Sequence, residues 1–145
     1  SSTYSGQHLP KFAVSFDDEE KFFQSQSEKN GWICFDFKDH RVLPTDYKIR
    51  SYCGSPNYLK SWIVEGSIDN EKWEVIDSQE DSNLLEGRLF VSSFPISADK
   101  QKIFRYIRIR ITGSSYSSGF YYLTLNSFEL YGNLLYSFIY FILFK

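Results

Sequence analysis

The chain contains no methionine, two histidines, two cysteines, three tryptophans and four prolines in 145 residues. Two cysteines are too few for a disulfide scaffold, so a packed core has to hold the fold. Cys34 and Cys53 can pair or stay free, and the sparse usage favours free thiols. His8 and His40 stand far apart in sequence, and no Gly-x-Ser-x-Gly, His-Glu-x-x-His or phosphate-cradling glycine loop occurs. Catalysis is therefore not expected. No block of Lys and Arg is present and the net charge is −2, which excludes a general attraction to nucleic acid or acidic membranes. Asn-x-Ser/Thr sequons are absent and no charged-then-apolar signal segment opens the chain, so an intracellular setting is favoured over an extracellular one. The missing methionine and the opening "SSTYSG" point to a fragment of a longer protein or a processed chain.

Aromatic residues are abundant. Fourteen Phe and eleven Tyr raise the aromatic fraction to 19%, within an apolar fraction of 42%. Such residues suit pleated, half-buried surfaces. The length fits one domain. Short alternating runs follow from Trp32 onward. In "WICFDF" (32–37), Ile33, Phe35 and Phe37 share a face. In "YKIRSYC" (47–53), Tyr47 and Ile49 oppose Lys48 and Arg50. "SWIVEG" (61–66) and "KWEVID" (72–77) form a hairpin, with Trp62 and Val64 on one face of the first strand and Trp73 and Val75 on one face of the second. Ser67, Asp69 and Asn70 supply its turn. "RLFVSSF" (88–94) and "YYLTLNSFELYG" (121–132) are further runs, and "PKFAVSF" (10–16) reads as a short first strand. "FRYIRIRIT" (104–112) is the strongest, with Ile107, Ile109 and Ile111 inward, Arg108 and Arg110 outward, and Arg105 paired with an acid near a strand end. These runs, punctuated by Gly, Pro, Ser, Asn and Asp, predict an all-β antiparallel sandwich or barrel over residues 1–133.

Residues 134–145 form an apolar tail. "LLYSFIYFILF" (134–144) is about half the ~20 residues that a spanning helix needs. Extra structure or packing is favoured over the start of a membrane segment, and membrane contact through this tail is the competing expectation.

Four motifs in order, "GWICFDF", "TDYKIRSYCGSPNYLKSWIVEGSIDNEKWEVID", "FRYIRIRITG" and "SFELYG", resemble the discoidin, or coagulation-factor type-C, domain of the galactose-binding-like fold. The likeness covers roughly residues 30–132 and is closest to divergent intracellular-type members. It implies an eight-stranded antiparallel jelly-roll β-sandwich. It also implies a ligand, whether glycan, phospholipid head group or protein partner, held by loops at one end. The disulfide that ties the ends of extracellular members is not matched by Cys34 and Cys53.

The candidate ligand residues are Tyr58, Tyr116 and Phe120, aromatic rings in turn-rich segments that can stack on a sugar face or enter a membrane interface. His40 and Arg41 join them as hydroxyl-binding groups of the kind that sugar-binding relatives place beside a stacking ring. A calcium site is considered as well, since several sugar-binding relatives hold a structural Ca²⁺ where the first loop meets the last strand. Asp17 and Asp18, in an acidic run with Glu19 and Glu20, would join Glu129 as its ligands. The Asp-Gly-Asn/Asp loop of those relatives is absent. No other cofactor is expected. The functional expectation is a non-enzymatic module that recognises carbohydrate. The alternatives are a protein-interaction module of a multidomain cytosolic protein, and attachment to a phospholipid surface.

Overall fold

The computed structural model describes residues 8–15, 20–54, 57–116 and 119–136. The strands are β1 (Phe23–Gln24), β2 (Trp32–Asp36), β3 (His40–Arg50), β4 (Trp62–Ser67), β5 (Glu74–Gln79), β6 (Val91–Pro95), β7 (Tyr106–Ile111), β8 (Thr124–Leu125) and β9 (Ser127–Tyr136). All pairings are antiparallel. One sheet has four strands in the order β2-β7-β4-β5, a second has three in the order β6-β3-β9, and β1 pairs with β8 in a short ribbon. The architecture is the jelly-roll sandwich expected from the motifs.

Alternation builds the core between the two larger sheets. Ile107, Ile109 and Ile111 are fully buried, as are Tyr47, Ile49, Trp62 and Val64. Burying each aliphatic side chain of this size contributes roughly 1.5–3 kcal/mol. The aromatic residues bridge the sheets. Phe35 of β2 stacks on Phe128 of β9 with centroids 5.1 Å apart, and Trp62 of β4 meets Phe94 of β6 edge-on at 5.3 Å. A polar tie crosses the same core: the Trp62 indole donates to the Tyr47 hydroxyl at 3.0 Å, and that hydroxyl donates to Asp77 at 2.5 Å. Burial, reinforced by the Asp77 carboxylate, pushes the Tyr47 phenol well above its usual range.

The outer face of the four-stranded sheet carries a second polar network. Glu65 is buried there, a carboxylate within a strand that is buried along most of its length. It accepts from Arg108 at 2.9 Å and from Arg110 at 3.0 and 3.1 Å. Burial pushes the Glu65 carboxyl up, but the two guanidinium groups outweigh it and hold the carboxyl below its ordinary value. Arg108 lies over the Trp73 ring, 3.9 Å from its centroid. Arg105 pairs with Asp36 at the end of β2 at 2.9 Å, as the sequence predicts.

One local expectation is corrected, and the shared face of Trp73 and Val75 is the outer one. Pro10–Val14 is a 3₁₀ turn rather than a strand, because Pro10 at its start fixes φ near the helical value. Val75 points outward and Ile76 inward. A register shift between Val64 and Glu65 displaces β5 by one residue, and a one-residue slip exchanges the faces of a strand. Trp73 precedes β5 and packs on the outer face. The turn itself forms as expected: Asp69 Oδ1 accepts the Glu71 and Lys72 amides at 2.9 and 2.8 Å, and Ser67 Oγ accepts that of Asn70 at 3.0 Å.

β3 begins at His40 and passes through Pro44, where the pairing with β9 shifts register. A proline is tolerated in a strand at such an irregularity. β9 continues to Tyr136, so the first three residues of the apolar tail pair with His40–Val42. Residues 137–145 lie outside the described residues.

Candidate recognition site

The strand order gathers four connections at one end of the sandwich. They are residues 25–31 before β2, 51–61 between β3 and β4, 80–90 between β5 and β6, and 112–123 after β7. Side chains and backbone groups lock them together. Ser51 Oγ donates to the Gly87 carbonyl at 2.5 Å and accepts the Phe90 amide at 2.8 Å. Lys60 pairs with Asp81 at 3.0 Å, and the Asp81 amide donates to Ser61 Oγ at 3.1 Å. The Tyr116 amide donates to the Tyr58 carbonyl at 3.0 Å, and Ser115 donates through both its amide and its hydroxyl to the Phe120 carbonyl at 2.9 Å. Leu89 holds a left-handed backbone at φ 57°, a conformation that costs a leucine energy.

On this frame Tyr116 and Phe120 remain 40% and 49% exposed. The Tyr116 hydroxyl hydrogen-bonds Glu86 of the neighbouring loop, which pushes its pKa upward. Phe120 stacks on Tyr122 with centroids 5.6 Å apart. Tyr58 shares the same corner, but its ring is buried. It supports Tyr116 from beneath and has no free face for a ligand. The structure thus brings Tyr58, Tyr116 and Phe120 together, with two rings outward and one inward.

His40 and Arg41 stand elsewhere. They open β3, whose far end, Arg50, leads to the loops just described. An eleven-residue strand separates the two ends by roughly 30 Å. Arg41 donates to the His40 carbonyl at 2.9 Å, and the His40 ring lies 4.6 Å from that of Tyr136. The expected pairing of these polar groups with the loop rings is corrected on that ground. Glu129 sits in β9 opposite Lys48 and accepts a hydrogen bond from Tyr131, whose hydroxyl also accepts from Lys48 at 3.1 Å. Asp17, Asp18 and Glu19 lie outside the described residues. Among the described residues no group of three or more His, Cys, Asp or Glu is placed to hold a metal ion.

Loop 80–90, whose last three residues fall in the run expected over 88–94, also borders this end. Leu84 and Phe90 are each more than half exposed on this loop, while Leu85 is fully buried and anchors it. The composition of "NLLEGRLF" (83–90) is too apolar for a mere connection. A cleft of about 460 Å³ opens beside the same loop, with Ser61, Gln79, Glu80, Thr112 and Ser114 among its lining residues. Cys34 is half-buried and free, and burial pushes its thiol up, away from the thiolate that a nucleophile needs.

With this geometry in hand, comparison with known proteins is decisive for the family. The F5/8 type C domain model matches residues 1–123. The chain belongs to the F5/8 type C domain family. Among curated relatives, the E3 ubiquitin-protein ligase Ufd4 of Drosophila melanogaster is 29% identical over 111 residues, which is 74% of this chain and 4% of the ligase. The chain therefore spans a small fraction of that relative. Among solved structures, the module CBM32-3 from a family 31 glycoside hydrolase of Clostridium perfringens superposes with a TM-score of 0.72 at 15% identity, covering 90% of this chain and 86% of that one. A fucose binding module of Streptococcus pneumoniae gives 0.68 at 16% identity, covering 91% and 88%. At these identities the structural likeness establishes the fold alone.

Proposed function

We propose that this F5/8 type C domain is a recognition module that binds a glycan at its loop end, with Tyr116 and Phe120 as the stacking platform. The observation that carries the reading is that these rings stay in water while the backbone beneath them is pinned by hydrogen bonds to Tyr58 and Ser115. A preorganised ring presents an apolar face at low entropic cost, and a pyranose ring has a matching apolar face. Tyr122, stacked on Phe120, and Glu86, bonded to Tyr116, bring hydrogen-bonding groups to the platform. The fold is shared with a fucose binding module and with CBM32-3 of a glycoside hydrolase, which agrees with a sugar as ligand. The domain itself performs no chemistry in this reading.

The test is a glycan array probed with the wild-type domain and with Tyr116→Ala and Phe120→Ala. Binding to one glycan class that either substitution weakens by about tenfold or more supports the proposal, since stacking contacts of this kind carry about 1–2 kcal/mol. A blank array removes it.

A second reading draws on Ufd4, in which a segment like this one forms 4% of an E3 ubiquitin-protein ligase. The same loop end would then hold a protein partner for a larger enzyme. Leu84 and Phe90, exposed on loop 80–90, which reaches Tyr116 through Glu86, favour it, because exposed apolar loop residues are what protein partners cover. Cross-linking from residue 90 in cells, yielding one defined protein while the array stays blank, would select this reading.

A further inference from the structure

We infer that the ligand end is a two-part site that takes a linear, neutral oligosaccharide of at least two ring units, with one unit on the Tyr116–Phe120 platform and the next in the cleft beside it. This rests on the glycan reading above and adds to it the length and charge of the ligand.

The cleft is built where three strand ends meet. β4 begins at Trp62, opposite Gln79 at the end of β5 and Ile111 at the end of β7. Its volume of about 460 Å³ falls in the range of roughly 300–1,000 Å³ typical of small-ligand sites. Half-buried Ile63 supplies an apolar surface. Around it stand the hydroxyls of Ser78, Thr112 and Ser114 and the carboxylate of Glu80. An apolar patch ringed by hydroxyls and one acceptor matches the two-sided chemistry of a sugar ring.

Charge narrows the class. Asp81, on the same wall, is already neutralised by Lys60 at 3.0 Å. Glu80 makes no hydrogen bond or ion pair among the described residues and is exposed. It can accept from ligand hydroxyls, and it repels carboxylated or sulfated sugars. The lone carboxylate is outnumbered by neutral groups, so the cleft is not built as a cation trap.

Contiguity follows from the loops. Thr112, Gly113 and Ser114 line the cleft, and Tyr116 follows two residues later on the same loop. Glu80 and Asp81 line the opposite wall, and Glu86 of their loop holds the Tyr116 hydroxyl. Two loops thus make both the platform and the cleft. A chain of sugars leaving the platform along loop 112–116 enters the cleft.

The test is calorimetry with length series of galacto- and gluco-oligosaccharides, from one to four units, together with sulfated counterparts. Two or three additional hydrogen bonds make the wild-type protein bind the three-unit sugar about tenfold tighter than the single unit. Glu80→Ala combined with Thr112→Val should collapse that ratio to about two while leaving the single-unit affinity unchanged. Thr112→Trp, which fills the cleft from an exposed position, should do the same. Tyr116→Ala should weaken every length equally. If single sugars bind but length brings no gain, or if the cleft substitutions leave the gain intact, the inference is wrong while the glycan reading survives. Tighter binding of the sulfated series overturns the charge argument. Absence of binding at every length overturns both.

Discussion

Tyr47→Phe removes one oxygen from the centre of the sandwich, and the structure fixes what that oxygen does. The ring is fully buried, with stacked neighbours Phe94 and Phe128 at 5.0 and 5.6 Å. Phenylalanine keeps all of that packing. The hydroxyl alone accepts the buried Trp62 indole N–H at 3.0 Å and donates to Asp77 at 2.5 Å. Without it the indole N–H is left unsatisfied in the core, which costs about 1–3 kcal/mol. Asp77 is half-buried and keeps the Gln79 amide at 3.0 Å, so water can replace its lost partner at little cost. The sum is about 2 kcal/mol, or a fall of about 6–10 °C in Tm for a domain of this size. Urea unfolding followed by tryptophan fluorescence reads it, with the slope m unchanged. Tyr47→Leu, which also loses the ring, should cost about 3–5 kcal/mol. The pH dependence adds a second check. The Tyr47 pKa is raised in the folded protein, so the unfolded chain releases its proton first, near the ordinary value of about 10. Folded stability is therefore fully present below pH ~10 and declines above it, and Tyr47→Phe should flatten this alkaline decline. A Tyr47→Phe protein as stable as the wild type would refute the claim that the indole depends on this hydroxyl.

Three further outcomes follow from the same geometry. Glu65→Ala leaves Arg108 and Arg110 half-buried without their carboxylate, and the expected loss is about 3–5 kcal/mol by thermal melting; replacing all three residues with leucine should recover much of it. Arg105 holds the Asp36 carboxyl well below the usual carboxylate range, so this pair stabilises the fold above the unfolded pKa of about 4 and the contribution disappears as pH falls; acid titration of Asp36→Asn should show a shallower loss between pH 5 and 2 than the wild type, and identical curves would contradict the pairing. Gly132 has φ +144° and an added Cβ would stand 2.1 Å from the Leu43 carbonyl oxygen; Gly132→Ala should lower Tm by more than 5 °C, since either β9 separates from β3 or the backbone distorts, and Gly119→Ala, which meets no neighbour, gives the comparison for a positive φ without a clash.

The parts of the fold that were readable in the sequence are those a single strand determines. Ile107, Ile109 and Ile111 alternate with Arg108 and Arg110, and period-two alternation is a local property that needs no knowledge of the partner strand. The inward face of β5 was not readable, because Ile76 is an extra residue between Asp77 and Val75, which pair with the consecutive Val64 and Glu65, and nothing local marks such a bulge. The start of β3 was obscured by Pro44, which looks like a loop residue until the irregularity opposite Gly132 and Tyr131 absorbs it. Because β3 begins at His40, His40 and Arg41 stand at the end of the strand far from the loop rings. Tyr116 and Phe120 were legible from the glycine and serine around them. The burial of Tyr58 was not, since it depends on a segment distant in sequence, where the Tyr116 amide bonds its carbonyl.

The bonds that brace the sheets and those that hold the loop end lie in different parts of the molecule. The Tyr47–Trp62–Asp77 tie and the Glu65–arginine network brace the middle of the sheets and contribute nothing to the exposed rings. The loop end is held by a separate set of bonds, in which Ser51, Ser61 and Ser115 each satisfy backbone groups of a loop. Serine suits that work because one small hydroxyl can donate and accept at once, leaving the larger side chains free to face outward. Within such an arrangement, substitutions at Tyr116, Phe120, Glu80 or Thr112 should leave the domain folded, as thermal melting would show. The sheets fix where the loops begin and end, and the loops can diverge in sequence without disturbing the sheets.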